Sequence, residues 1–248
     1  MSSPALAGPP GPLRAAASPS TLGRFRDSIW AGAQFAAPSL PALPTGYPTL
    51  DAQLPGGGWP ASGLTELLFD APGSGEWRLL APALRTLAAA RPVVCIAPPL
   101  QPYAPALLAL GLPLQRFVWV TPPHTPNEAA QAAADAAWAL EQALRSGTCG
   151  TALWWGDATT PMLRRLHLAA REHGCLLLAL RPLAARRQSS PAPLRLACSL
   201  TAPDRLDICV FKRRGPAQAL PLSLRLPPIA RVSPHHAVAR TAPAVVAA

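Results

Sequence analysis

An α/β domain built on a mainly parallel sheet flanked by helices, with an antiparallel extension at its C-terminal end and disordered tails, is the fold that this 248-residue chain predicts. Three observations carry the expectation. Short apolar runs alternate with amphipathic stretches up to Leu180, a rhythm that calls for strands covered by helices on both faces. From Leu183 it changes to three closely spaced strand-like runs, Leu194–Leu200, Arg205–Phe211 and Ala219–Leu226, which suits antiparallel pairing. The 33 prolines gather in the first sixty residues, in loop positions and towards the end. Residues 1–40 therefore read as a flexible tail, 41–227 as one domain and 228–248 as a second tail.

Taken in order, residues 1–23 are of low complexity and receive no structure. Arg24–Gln34 differs, because Phe25, Ile29 and Trp30 share a face at helical spacing; a short helix docking on a partner and one packing on its own domain are both consistent with that pattern. Leu43–Phe69 gives a short helix near Thr49–Leu54, glycine turns at Gly56–Gly58 and Pro60–Gly63, and a first buried strand. Glu76–Ala90 reads as a helix with Leu79, Leu80, Ala83, Leu84 and Leu87 on one face. Next come a strand at Pro92–Ala97, a helix at Tyr103–Leu110 and a strand at Arg116–Val120. A helix capped by Asn127 reaches Arg145, and a strand at Thr151–Trp155, a helix at Thr160–His173 and a strand at Cys175–Leu180 follow.

The net charge of +10 is uneven. Residues 41–180 carry eight arginines against nine acids, whereas residues 181–248 carry eleven basic groups against only Asp204 and Asp207. A basic partner surface, if present, lies in the last third; arginine richness alone also fits plain compositional bias. The five cysteines form no C-x-x-C pair and mostly fall in apolar runs, as expected for reduced core thiols in a cytoplasmic protein. No apolar segment approaches the roughly 18 residues needed to span a membrane.

The stretch Leu64–Leu80, LTELLFDAPGSGEWRLL, organises the rest. Strand, glycine turn and helix start form a phosphate-cradling shape, since free N–H groups and the helix dipole converge on one spot. Aligned with G-x-x-x-x-G-K-[ST], however, Asp70 stands at the first glycine, Gly75 at the second, Glu76 at the lysine and Trp77 at the hydroxyl, with Gly73 inside the turn. Glu76 would repel phosphate where lysine attracts it, a term of about 4 kcal/mol at ~4 Å and an effective dielectric near 20. Trp77 offers no oxygen to magnesium. The turn is expected to keep its shape without nucleotide, metal or cofactor. No enzyme constellation stands elsewhere. His124, His167, His173, His235 and His236 lack ligand partners at suitable spacing, and Ser74 lacks a G-x-S-x-G frame.

Ahead of this loop, Pro44, Thr45, Gly46, Leu50, Asp51 and the glycine turn Gly56–Gly58 make the chain resemble the RecA-type ATPase core over roughly three quarters of its length. In that core a catalytic glutamate follows the second strand; here Ala97, Pro98 and Pro99 occupy the region. Asp157 is similar to a Walker-B aspartate displaced by Gly156. Combined with the string LPGGGWP, the I-W pair at Ile29–Trp30 and the F-K-R-R-G run from Phe211, the spoiled loop makes the chain most similar to the ImuA family. That resemblance implies a non-catalytic adaptor in damage-induced translesion synthesis (the SOS response). Its implied partners are an inactive Y-family-like polymerase of the ImuB type, an error-prone replicative-type polymerase and RecA. It also implies a DNA- or partner-contacting role for Arg186 and Arg187, in a mobile loop near a sheet edge, and for Lys212, Arg213 and Arg214; any DNA contact would be nonspecific. A second resemblance, to the SulA division inhibitors over Gly111–Val120 and the next helix, implies binding of a tubulin-like protein instead. A DNA-stimulated ATPase is a third reading.

Overall fold

The computed structural model describes residues 41–122, 129–215 and 221–228. The expected docking helix at Arg24–Gln34, with Phe25, Ile29 and Trp30, and the Asn127 cap fall outside the described residues.

β1 (Ala42–Leu43) pairs antiparallel with β2 (Trp59–Pro60), and α1 (Pro48–Asp51) lies between them. The sequence motifs here serve packing. Asp51 Oδ1 accepts the Thr45 N–H at 2.8 Å, closing the turn before α1. A Cβ on Gly58 would lie 2.1 Å from the Leu43 carbonyl oxygen, so the ribbon closes only over glycine. Trp59 is fully buried.

The main sheet has eight strands in the order β10-β9-β8-β3-β7-β6-β4-β5. Its parallel part comprises β3 (Gly63–Phe69), β4 (Val93–Ile96), β5 (Phe117–Val120), β6 (Thr151–Trp155), β7 (Leu176–Pro182) and β8 (Leu194–Ala202). β9 (Arg205–Lys212) alone runs against the others, pairing antiparallel with β8 on one side and with β10 (Leu222–Arg225) on the other. The expected antiparallel run is present as β8–β9–β10; its first strand, β8, also joins the central strand β3 in parallel, Thr65 opposite Leu194 and Glu66 opposite Arg195, a pairing the sequence did not disclose. Parallel strands need a crossover of a dozen or so residues, usually helical, and β7 and β8 are such a pair, lying on either side of β3. Here residues 183–193 make it with only one short 3-10 helix, Leu183–Arg187, so no helical rhythm announced it.

Helices α2 (Glu76–Ala90) and α3 (Ala104–Ala109) cover one face, where Leu79, Leu80, Leu84 and Leu107 meet Leu67, Cys95, Leu153 and Leu178. Helices α4 (Ala129–Arg145) and α5 (Thr160–Glu172) cover the other, packing Leu140, Leu144, Leu163 and Leu166 on Leu64, Ile96, Trp154 and Leu177. Glu141 ties these two helices through Arg165 of α5, and Arg145, one turn along α4, pairs with the same carboxylate at 2.8 Å. α2 contains Pro82, whose ring removes the N–H that would bond the Arg78 carbonyl. The Tyr47 hydroxyl donates to that carbonyl at 2.8 Å instead. Gly46 makes the approach feasible, because its Cβ would fall 2.2 Å from Pro82 Cβ.

Candidate functional site

At the C-terminal end of β3 the turn Asp70–Gly75 leads into α2, with Gly73 at φ 82° and Gly75, the N-cap, at φ 96°. Such positive φ values suit glycine and let successive N–H groups face one concavity. The occupant of that concavity comes from the chain itself. Glu76 folds back and its Oε1 accepts the Gly73 N–H at 2.7 Å. A carboxylate in the first turn is favoured by the helix dipole, so the residue expected to repel phosphate stands in for the anion.

Trp77 points the other way, its ring centroid 5.5 Å from Trp155 and 5.8 Å from Trp119, which stacks on Phe117 at 6.0 Å. Aromatic pairs at these separations add about 0.5–1.5 kcal/mol each beyond area burial. Beyond β4 the chain turns sharply at Ala97, a non-glycine residue at φ 51°, and its N–H donates to the Val120 carbonyl at 2.8 Å. The segment Pro98–Tyr103 then forms a wall facing the turn. Two clefts flank Glu76. One, of about 370 Å³, lies against Trp77, Pro99, Tyr103 and Leu107. The other, of about 340 Å³, lies against Asp70, Pro72, Trp155, Asp157 and Pro182.

Behind the second cleft sits a buried charged cluster. Glu66 Oε1 accepts from Arg181 Nη1 at 3.0 Å and Ser190 Oγ at 2.5 Å, and Oε2 from Arg195 Nε at 2.6 Å. Arg181 also bonds Asp157 and Gln188, and Arg195 donates to the Gln188 and Ala185 carbonyls. Partial burial works against ionisation of Asp157, and the Arg181 guanidinium outweighs it, holding the carboxyl below its usual range. Asp157 thus serves as an arginine partner. Gly156 precedes it because a Cβ there would lie 2.4 Å from the Trp154 ring. The sequence reading missed this cluster, although one signal was present: Glu66, Arg181 and Arg195 each interrupt an otherwise apolar run.

The cluster also corrects the expected mobility of Leu183–Ser190. Arg195 bonds the 3-10 helix through Ala185, and Lys212 Nζ donates to the Ser190 carbonyl at 2.6 Å. The segment crosses to a central strand, not to a sheet edge. Arg186 and Arg187 are exposed, and Arg186 lies 5.1 Å over the Phe211 ring. The ladder passes from Arg195–Lys212 to Leu196–Val210, so Phe211 is the extra residue of a bulge. Arg213 bonds the Gln53 carbonyl and Arg214 is exposed. Lys212 stands opposite Arg195, level with the middle of β3, and the chain runs on from there away from the loop. The two sets of sequence-predicted residues, the turn and the basic groups, therefore occupy different parts of the sheet.

Near the start of β3, His167 Nδ1 accepts the Leu64 N–H at 3.0 Å. Burial first, then Arg171, Arg214 and Lys212, push its pKa below the ordinary value. Four of the five cysteines are buried and all are unbridged. Among the described residues no helix is long and apolar enough to cross a membrane, and no group of His, Cys, Asp and Glu side chains is arranged to hold a metal.

No protein-family description matches the chain, and no curated protein does. Among solved structures the chain is similar to the crystal structure of SulA from Pseudomonas aeruginosa, at 27% identity over 48% of this chain and 97% of that one, with a TM-score of 0.38.

Proposed function

We propose that this chain is a RecA-like, non-catalytic accessory protein of damage-induced translesion DNA synthesis, of the ImuA type, which recruits or regulates an error-prone polymerase assembly in the cytoplasm. The observation that carries the non-catalytic part is the Glu76–Gly73 bond: the protein's own carboxylate fills the position that a nucleotide phosphate needs. Trp77 lies in an aromatic cluster where a magnesium-binding hydroxyl would stand. Both features favour a scaffold over an ATPase. Support for the assembly it serves comes from the sequence pattern around Pro44–Asp51, Gly56–Gly58 and Phe211–Gly215. The implied partners are the inactive Y-family-like polymerase, the replicative-type polymerase and RecA, with nonspecific DNA contact through Arg186, Arg187 and Lys212–Arg214.

The test is quantitative capture with the tagged full chain from cells before and after DNA damage. The reading expects enrichment of both polymerase-type proteins after damage. Recovery of a tubulin-like division protein in their place would overturn it in favour of a division inhibitor.

A further inference from the structure

One polar atom at the degenerate loop has no partner. Glu76 is 4% exposed; its Oε1 is bonded to Gly73, but Oε2 is buried without a hydrogen-bond donor. A buried acceptor left without a donor is destabilising, so the carboxyl group calls for a donor. No resident cation meets it, although Arg181 Nε is likewise buried without a partner. Arg78 donates Nη2 to the Pro203 carbonyl at 2.6 Å, and both terminal nitrogens of Arg181 are spent on Glu66, Asp157 and Gln188.

The cleft beside Glu76 suits one kind of donor. Its acids are Asp70, Glu76 and Asp157 against the single cation Arg181, and its walls are Phe69, Pro72, Pro99, Trp155, Leu180 and Pro182. An acidic, apolar-walled slot with an indole face matches a planar cation on an aliphatic stem. A guanidinium offers several N–H donors in a fixed fork and stacks on indole, whereas an ammonium is a strongly hydrated point charge without a face. Around the neighbouring cleft the rim is apolar as well: Leu100 is 61% exposed, Tyr103 60% and Leu200 39%. A free amino acid leaves that rim uncovered, and an arginine flanked by apolar residues on a polypeptide covers it.

We propose that the cleft beside Glu76 receives an arginine side chain of a partner protein, its guanidinium pairing with the carboxyl groups of Asp70 and Glu76 that line it and stacking on Trp155. This inference does not rest on the translesion reading, because it concerns the chemistry of the slot and not the pathway of the protein that enters it.

Calorimetry with the full chain tests it, using the peptide Ac-Ala-Leu-Arg-Leu-Ala-NH2 and its citrulline analogue, a neutral isostere. The expected result is saturable binding of the arginine peptide at millimolar or lower concentration and at least about tenfold weaker binding of the citrulline peptide. Glu76→Gln keeps an oxygen for the Gly73 N–H but removes the charge. It should weaken the arginine peptide about tenfold with an unchanged circular-dichroism spectrum and no fall in melting temperature. Equal binding of the two peptides, unchanged affinity in Glu76→Gln, or no saturable binding of the arginine peptide would each overturn the proposal. Affinity that rises about tenfold when Arg14, Arg24 and Arg26 are replaced by glutamine would assign the slot to the protein's own N-terminal arginines and overturn the partner assignment. Failure here leaves the capture experiment untouched, so the two readings fall separately.

Discussion

Replacing Glu66 by methionine should be among the most damaging single changes in the protein. The side chain is fully buried, as is that of Arg181, and Arg195 is 5% exposed. The substitution strips three short bonds at 3.0, 2.5 and 2.6 Å. It also leaves Arg181 and Arg195 facing only Asp157, so the buried cluster goes from neutral to one net positive charge. Removing one partner of a buried pair costs about 3–5 kcal/mol, a large share of the ~5–15 kcal/mol that holds a typical domain. At roughly 2–4 °C per kcal/mol for 150–250 residues, the melting temperature should fall by about 6–20 °C. The control is Glu66→Met with Arg195→Met, which restores neutrality because Arg181 retains Asp157. Apolar replacement of a whole buried pair is often near neutral, so the double variant should recover at least half of the loss. Urea unfolding of the full chain reads all three proteins. A loss below about 1 kcal/mol in the single variant, or strictly additive losses in the double, would refute the reasoning, since either means that the charges are solvated in solution.

Two further outcomes follow from named contacts. Because the folded His167 holds its proton less readily than the ordinary value of 6.5, the unfolded chain takes up the extra proton first as pH falls. Its contribution is complete above that value and is lost as pH drops from there through the lower folded pKa, with a slope no steeper than about 1.4 kcal/mol per pH unit; His167→Asn, which keeps an acceptor for the Leu64 N–H, should flatten that part of a pH–stability curve. DNA affinity, if carried by the exposed Arg187 and Arg214, should be without sequence preference. The double alanine variant should then lower the slope of log affinity against log salt by about 1.4–1.8, at ~0.7–0.9 per phosphate contact, and an unchanged slope in a filter-binding titration would remove these residues from the interface.

Periodicity made most of the parallel sheet legible before any coordinates, because each strand there is a short apolar run bounded by a glycine or a proline. It disclosed β8 as a strand but not its place beside β3. What pins Leu194–Ala202 beside β3 is the meeting of Glu66 with Arg195, a contact across 129 residues that leaves no local rhythm. The turn at Asp70–Gly75 between β3 and α2 was readable from its glycines, two of which, Gly73 and Gly75, have positive φ. Where Glu76 goes was not readable, since repulsion of an external phosphate and bonding to an internal N–H follow from the same carboxylate. The arginine loop misled for a related reason: its charges suggested solvent, while its order comes from Arg195 and Lys212, distant in sequence.

The central position of β3 also sets a clock on biosynthesis. Both of its neighbours, β7 and β8, are made long after it: β3 ends at Phe69, whereas β8 begins at Leu194. At about 5–20 residues per second, a ribosome needs roughly 6–25 s to cover that interval. Throughout it the emerging chain carries a seven-residue apolar strand with a carboxylate at its centre and no cation to receive it. Glu66 resists burial until Arg181 and then Arg195 leave the exit tunnel, so the same cluster that locks the finished sheet keeps its first strand wet while the chain is still being made.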